Sequence, residues 1–283
     1  MVSVIVTTYN RKELLSKTLK AILNQTYKDF ELIVVDNYSD YDFEQLIQQF
    51  NDKRIRAFRN QNNGIIATNR NYAIRKAKGE FLAFCDDDDI WYPNKLERCL
   101  EEIKDNDILY HKLVTNTGFV METENIYGKA IQYLSKRNYL AYSSVFLRKE
   151  IAFNVGLLDE DPLLVAVEDY DFWIRISTLS NKFGYIDEIL GQYYVGNDNM
   201  SYKFENIERL FNLYYKRKSI LPFKYRVQMY SNLSFMMARI YHKEGEFINS
   251  MKYYKNSFID IYSVKIMVKS FCGYFLSLLR IKY

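Results

Sequence analysis

Histidine, cysteine, proline and glycine are all scarce in this 283-residue sequence, at 2, 3, 3 and 10 copies. With His111 and His242 as its only histidines, the chain is poorly equipped for a histidine-based zinc site or a histidine-led catalytic triad. Cys85, Cys99 and Cys272 stand far apart without metal-ligand spacing, and an odd count argues against a disulfide framework, so a reducing compartment is expected. No apolar run reaches the roughly 20 residues that cross a bilayer. The segment from Met1 to Tyr9 lacks the charged leader and cleavage site of a secretory signal, and a cytoplasmic location is expected. Apolar residues at 48% and charged residues at 26% exclude a disordered polymer. They describe a folded chain, long enough for one large domain with a helical extension.

Tyrosine and phenylalanine are abundant, at 26 and 19 copies. Such an excess suits carbohydrate stacking or a membrane interface, although half-buried packing is its commoner use. The net charge of +4 hides a division: residues 1–202 carry 24 Lys and Arg against 30 Asp and Glu, and residues 203–283 carry 15 against 5. The first part is therefore −6 and the second +10. Cations interleaved with Tyr, Phe, Leu and Met suit an anionic lipid surface; nucleic acid, the rival reading of a basic segment, is not expected here.

Along the chain, strand and helix signals alternate. Val2 to Thr8 is a β-branched run, and Arg11 to Asn24 has apolar residues at helical spacing. Phe30 to Asp36 reads as a second strand, followed by an amphipathic segment around Phe43 to Phe50. Ile55 to Arg59 reads as a third strand, Ile66 to Lys78 as a helix ended by Gly79, and Glu80 to Cys85 as a fourth strand. Alternation of this kind implies a parallel α/β sheet, with ligands beyond the carboxyl ends of its strands. Those ends are Thr7 to Asn10, Asp36 to Ser39 and Asp86 to Asp89. Beyond Asp89 the pattern loosens, with strand-like pieces at Ile108 to Val114 and Tyr142 to Leu147 and a helix over Asp169 to Leu179.

Asp86-Asp87-Asp88-Asp89 is the strongest local signal. Four adjacent carboxylates repel one another, and a divalent cation relieves that repulsion. An N-cap cluster before a helix over Pro93 to Ile103 would account for Asp89 but not for all four. Strand alternation carried past Cys85 points Asp86 and Asp88 the same way, toward one ion. Hard oxygen ligands favour Mg2+ or Mn2+ over zinc.

Five ordered segments, VSVIVTTYNR, FELIVVDNYSD, NGIIATNRNYAI, GEFLAFCDDDDIWYPNKLE and EDYDFWIRIS, resemble the inverting glycosyltransferase family 2 over about residues 1–200. The resemblance implies a GT-A fold, a Rossmann-like mixed and mostly parallel sheet with flanking helices, followed by a helical C-terminal region. It implies a catalytic domain over 1–202, with a nucleotide-sugar half at 1–90 and an acceptor half at 91–202, and a separate region at 203–283. Asp86-Asp87-Asp88 is then the Asp-x-Asp motif, with Asp88 as direct metal ligand and Asp86 nearer the donor. Thr7, Tyr9 and Asp36 fall around the nucleotide base and Arg70 near the diphosphate or donor sugar. Asp169 is the base for the acceptor hydroxyl, with Asp171 as its substitute. The donor expected is a nucleoside diphosphate sugar, with UDP favoured, and the acceptor a saccharide, lipid-linked, in bacterial surface polysaccharide synthesis. Many relatives carry a loop histidine where this chain has Gly196; Tyr194, Asn197 and Asp198 are the candidates to replace it.

The spacing from Tyr230 to Phe258 predicts a helical hairpin of the tetratricopeptide type. Residues 261–283 combine Lys265, Lys269, Arg280 and Lys282 with a dense set of apolar side chains, which suits peripheral contact with the inner face of the cytoplasmic membrane. Packing into the protein or a homodimer interface is the alternative. Two other functions fit part of the pattern: a nucleotidyltransferase, which would want a glycine-rich basic loop where Thr7 to Asn10 stands, and a noncatalytic sugar-nucleotide module, which would not need Asp169. Tyr127, Tyr133, Tyr139 and Tyr142 are expected to line the acceptor side.

Overall fold

The computed structural model describes residues 1–196, 205–259 and 263–282. It divides into two compact units: Met1–Ala130 with Asn138–Asn199, and Ile131–Arg137 with Met200–Tyr283. The short segment 131–137 thus groups with the helical residues, which a single boundary at 202 does not provide, and residue 202 itself lies outside the described residues.

The first unit is built on one eight-stranded mixed sheet. Its strands are β1 (Val2–Thr8), β2 (Phe30–Asp36), β3 (Ile55–Arg59), β4 (Phe81–Asp86), β5 (Ile90–Trp91), β6 (Ile108–Thr115), β7 (Phe146–Arg148) and β8 (Phe183–Tyr193), in the order β3-β2-β1-β4-β7-β6-β8-β5. Four pairings are parallel (β1 with β2 and β4, β2 with β3, β6 with β8) and three antiparallel. Every residue of β1 and β2 is buried, which is why both are rich in Val, Ile and Leu rather than alternating with polar residues. Helix α1 (Lys12–Leu23) buries Leu15, Leu19 and Ile22 against them. Helices α2 (Phe43–Gln48), α3 (Ile66–Lys76), α4 (Lys95–Ile103), α6 (Lys149–Asn154) and α7 (Glu168–Leu179) follow in chain order, with α5 (Ala130–Leu134) between α4 and α6 in the chain but grouped, from Ile131 on, with the second unit.

Chain order turns back at β1. The chain runs outward from β1 to β2 and β3, then returns to the other side as β4, so the carboxyl ends of β1 and β4 form the switch point of the sheet. Register sets Thr8 beside Asp36 on one side and Thr7 beside Asp86 on the other.

Three expectations are corrected here. Helix α3 stops at Lys76 rather than Lys78, and Gly79 serves a close approach: a Cβ there would lie 2.6 Å from the Ser3 nitrogen and 2.8 Å from the Val2 carbonyl carbon. Tyr142–Ser144 is a 3-10 turn, and only Phe146–Arg148 of that piece is strand. The 11-residue β8 gave no clear strand signal, because Gly184, Gly191 and the Asp187-Glu188 pair break its alternation; its parallel pairing with β6, irregular around Lys112, decides its conformation.

The second unit contains α8 (Glu205–Arg217), α9 (Phe223–Glu244), α10 (Phe247–Ser257) and α11 (Val264–Leu278). The expected hairpin is α9 and α10, turned by Gly245 at φ 86°, with Gly245 donating its N–H to the His242 carbonyl and Glu246 to the Tyr241 carbonyl.

Because two of the three atoms that crowd Gly79 are backbone, the third being the Ser3 hydroxyl oxygen, Gly79→Ala should lower stability by about 1–3 kcal/mol, the usual range for forced overpacking. Urea unfolding tests this, and an unchanged midpoint would mean that β4 can draw back from β1 without cost.

Candidate active site

Strand β4 does not continue through the four aspartates. It ends at Asp86, and the chain turns so that the Asp89 N–H donates to the Asp86 carbonyl at 3.3 Å. Thr18 on α1 fixes this turn, its hydroxyl lying 3.0 Å from the Asp87 carbonyl and 2.9 Å from that of Asp89. Each carboxylate is therefore aimed separately, and the shared direction expected of Asp86 and Asp88 from strand alternation does not arise that way. Asp87 is buried, accepting from the Thr8 hydroxyl at 2.7 Å and from Arg11 at 3.2 Å. Asp88 accepts from the same Arg11 nitrogen at 2.7 Å. Asp89 is buried, not a cap of α4, and accepts from the Tyr194 N–H at 2.8 Å.

Asp86 points to Arg70. The Arg70 guanidinium is buried and donates to Asp86 at 2.8 Å and to Glu168 at 2.6 Å. It also stacks on the Tyr142 ring, 3.6 Å from the centroid, and that ring stacks in turn on Phe84. Burial by itself would make the guanidinium easier to deprotonate, but Tyr142, Asp86 and Glu168 reverse the effect and raise its pKa, so it is a fixed cation. Glu168 opens α7, just after Ala166, whose left-handed φ of 70° costs a non-glycine residue about 1–2 kcal/mol.

Asp169 follows Glu168. Its Oδ1 accepts from the Tyr170 N–H at 2.6 Å and its Oδ2 from Asn138 at 3.3 Å. Burial and the neighbouring Glu168 push its carboxyl up to about 7, against the opposing pull of Arg70. Asp171, the substitute, is fully buried and paired with Arg175 at 2.7 Å, an (i, i+4) bond within α7.

On the other flank, Asp36 is fully buried and accepts from both the N–H and the hydroxyl of Ser39, at 3.0 and 2.5 Å, with Arg59 at 3.5 Å. A ligand reaches this carboxylate only if Ser39 gives way. Thr7 is buried, whereas Tyr9 is 53% exposed at the rim. Asn10, at φ 53°, stitches the two strand exits together through Ser39 and Asp40.

The aspartate turn and the start of α7 together hold six carboxyl groups (Asp86 to Asp89, Glu168 and Asp169) against two guanidinium groups (Arg11 and Arg70). Burial and the like charges of Asp86 and Asp87 push Asp88 up to about 7, the mark of an under-neutralised cluster. Asp86 and Asp88 each give one oxygen to an arginine, Asp88 also taking a hydrogen bond from its own backbone N–H. Two hard oxygens fit magnesium or manganese. Among the described residues no three His, Cys, Asp or Glu side chains gather to hold a metal alone, so ligands from a phosphate-bearing substrate would complete the set, as is usual for magnesium.

Arg11, Glu168 and Tyr142 stand in the cluster, and sequence reasoning missed or misread them. Arg11 closes VSVIVTTYNR and Glu168 opens EDYDFWIRIS, so both stood inside recognised segments without a role. Tyr142, expected to stack on a sugar, is buried beneath Arg70. Tyr127 is exposed, and Tyr133 groups with the helical unit. Asn197 and Asp198, two of the three candidates for the place of the loop histidine, lie outside the described residues.

Fold and site define a mixed α/β protein with an acidic, arginine-bridged cluster at the switch point of its sheet. The pattern of Glycosyl transferase family 2 matches residues 3–156, and the chain belongs to that family. An uncharacterized glycosyltransferase of Methanocaldococcus jannaschii is 32% identical over 76% of this chain and 77% of its own length. The UDP-Glc:alpha-D-GlcNAc-diphosphoundecaprenol beta-1,3-glucosyltransferase WfgD of Escherichia coli is 30% identical over 62% of this chain and 69% of its own. Among solved structures, residues 1–349 of S. aureus TarS in complex with UDP-GlcNAc superpose with a TM-score of 0.71 at 17% identity, covering 98% of this chain and 90% of that one. The mannosyltransferase PcManGT of Pyrobaculum calidifontis, in complex with GDP-Man and Mn2+, gives 0.64 at 16% identity over 98% and 80%. The fold is thus that of known glycosyltransferases.

A raised carboxyl pKa is also a statement about stability. Asp169 in the folded chain holds its proton up to about pH 7, and in the unfolded chain only up to about pH 4. The folded state binds more protons in that window, so this group's contribution to stability falls as pH rises through it. Asp169→Asn should therefore gain stability relative to the wild chain between about pH 4 and 7 and keep the gain above. Urea unfolding at pH 4, 5.5 and 8 checks this, and a pH-independent difference would contradict the raised value.

Proposed function

We propose that this chain is an inverting, metal-dependent glycosyltransferase that moves a hexose from a UDP-linked donor to a saccharide hydroxyl. The observation that carries the reading is Arg70, which bridges Asp86 and Glu168 and so brings the start of α7, with Asp169, to the aspartate turn. Residues 1–90 supply the nucleotide-sugar half and residues 91–202 the acceptor half, with 203–283 as an accessory region. Thr7 and Tyr9 border the nucleotide, and Asp36 takes part directly if Ser39 moves, or otherwise by holding the Ser39 loop. A bound magnesium or manganese ion would be held by Asp88 and Asp86 and would supply Lewis-acid charge against the donor diphosphate. Asp87 takes no part in that set while Thr8 and Arg11 hold it, and it instead fixes Arg11. Arg70, kept cationic and immobile, adds positive potential as charge develops on the leaving group.

Asp169 accepts the proton of the acceptor hydroxyl while that oxygen bonds to the anomeric carbon and the bond to the diphosphate breaks, with inversion. A carboxyl poised near 7 suits this exchange of a proton at neutral pH. The relative named for a diphosphoundecaprenol acceptor supports a lipid-linked saccharide acceptor here, and the proposed setting is bacterial surface polysaccharide synthesis on the inner face of the cytoplasmic membrane. UDP is favoured because the relatives WfgD and WfaP are named for a UDP-Glc donor.

Asp88→Ala should abolish metal-stimulated binding of UDP-sugars in calorimetry, and unaltered affinity there would remove Asp88 from the ion site. Asp169→Asn should keep donor affinity while turnover falls by roughly 10²-fold or more. In the wild chain kcat/KM should rise with pH through about 7, the acid limb reporting Asp169. Turnover undiminished in Asp169→Asn, or undiminished in chelator, would refute the proposal.

A further inference from the structure

Helix α11 is turned opposite to an ordinary amphipathic helix. Its inner face is made of Ser270, Gly273 and Ser277, all buried. Gly273 lies against Tyr254 so closely that a Cβ would come within 2.2 Å of the ring. Ser257 donates to the Ser270 hydroxyl at 2.6 Å, and the Ser277 hydroxyl is 2.9 Å from that of Ser250 and 3.2 Å from His242 Nδ1. These contacts with α9 and α10 fix the rotation of α11 about its own axis.

The outer face is consequently apolar. Val264, Met267, Val268, Phe271, Phe275, Leu278 and Leu279 are all exposed, from 38% for Met267 to 67% for Val264. At 3.6 residues per turn they fall on one stripe about 120° wide. Lys265 and Lys269 run along one side of it, and Arg280 and Lys282 follow its end; residues 263–282 contain no Asp or Glu.

We propose that this face of α11 docks onto a bilayer rich in anionic phospholipid, with the helix lying in the plane of the interface. Fifteen residues make a helix of roughly 22 Å, short of the ~30 Å hydrocarbon thickness, and no helix among the described residues is long and apolar enough to cross a membrane. Aromatic and aliphatic side chains enter the acyl boundary while the lysines reach the headgroups. A second copy of the chain is the poorer occupant, because a two-fold pairing of this face brings its acid-free cationic edges together. An anionic lipid surface instead complements them, as it does the +10 balance of residues 203–283. The surface supplies the physical partner for the membrane-side location proposed above, yet it is read from the helical unit alone.

The test is flotation of the full chain with vesicles of equal phosphatidylglycerol and phosphatidylcholine, against phosphatidylcholine alone. The wild chain should float with the anionic vesicles, less so at high salt. Phe271→Glu with Phe275→Glu should weaken partitioning at least about tenfold with unchanged circular dichroism, and Val264→Glu with Val268→Glu should do the same. Lys265→Glu with Lys269→Glu should remove most of the salt-sensitive part. An environment-sensitive dye on Cys272, exposed on α11 whereas Cys85 and Cys99 are buried, should shift to the blue with anionic vesicles. Asp169→Asn should float like the wild chain, so a failed reaction and a failed docking surface remain separate results. Absence of flotation, wild-type flotation of both glutamate pairs, or a dimer that Phe271→Glu with Phe275→Glu dissociates while no vesicle is bound, would each overturn the proposal.

Discussion

A buried guanidinium must find its counter-charges within the fold, and in the catalytic unit Arg70 imposes that requirement. Its desolvation costs several kcal/mol unless good partners surround it. Asp86 from β4, Glu168 from α7 and the face of Tyr142 are those partners. Asp86 is 16 residues from Arg70 in the chain and Glu168 is 98. One side chain therefore ties the switch point of the sheet to a helix from much later in the sequence. The placement of Asp169 is inherited from this bond, since it is the next residue along α7.

The same bond sets the charge state of what surrounds it. Arg70 takes one oxygen of Asp86 and Arg11 one oxygen each of Asp87 and Asp88, which leaves the cluster short of positive charge. Asp88 and Asp169 both rise to about 7, with burial as the first cause and carboxylate neighbours as the second. In the proposed reaction the two excesses have different outcomes: a divalent cation offsets the first, and the second is used to take up a proton. Full neutralisation by a third arginine would make a more stable site and a worse one for either purpose.

Much of the fold was legible in the sequence, because β1, β2 and β4 are buried strands whose composition reflects their surroundings directly. Where conformation depends on partners, the pattern was silent. β8 takes its strand form from β6, and Tyr142 sits in a 3-10 turn because Ser143 and Ser144 pack inward beside it. Candidate site residues were legible as types and as loops, but not as individual atoms. Asp36 stood correctly at a strand exit, yet sequence alone does not tell that Ser39 occupies both its oxygens. Glu168 was given no role because its ion-pair partner lies 98 residues away in the chain. Arg11 was passed over because a cation next to a helix start has no obvious local reason to be there, and its reason is the turn at Asp87 and Asp88.

Helix α11 shows a different limit of periodicity. Spacing identifies an apolar stripe, and the ordinary assumption turns such a stripe inward. Here the inner side is decided by size and hydrogen bonding. Tyr254 leaves room only for Gly273, and the hydroxyls of Ser250, Ser257, Ser270 and Ser277 satisfy one another and the His242 ring. Rotating the helix to hide Phe271 and Phe275 would strip those hydroxyls of partners, at about 1–3 kcal/mol for each buried group left unpaired, and would drive aromatic rings into space that admits a glycine. The outward apolar face is therefore a consequence of how the inner face is built, and that construction holds it open for a partner whose own surface combines negative charge with hydrocarbon.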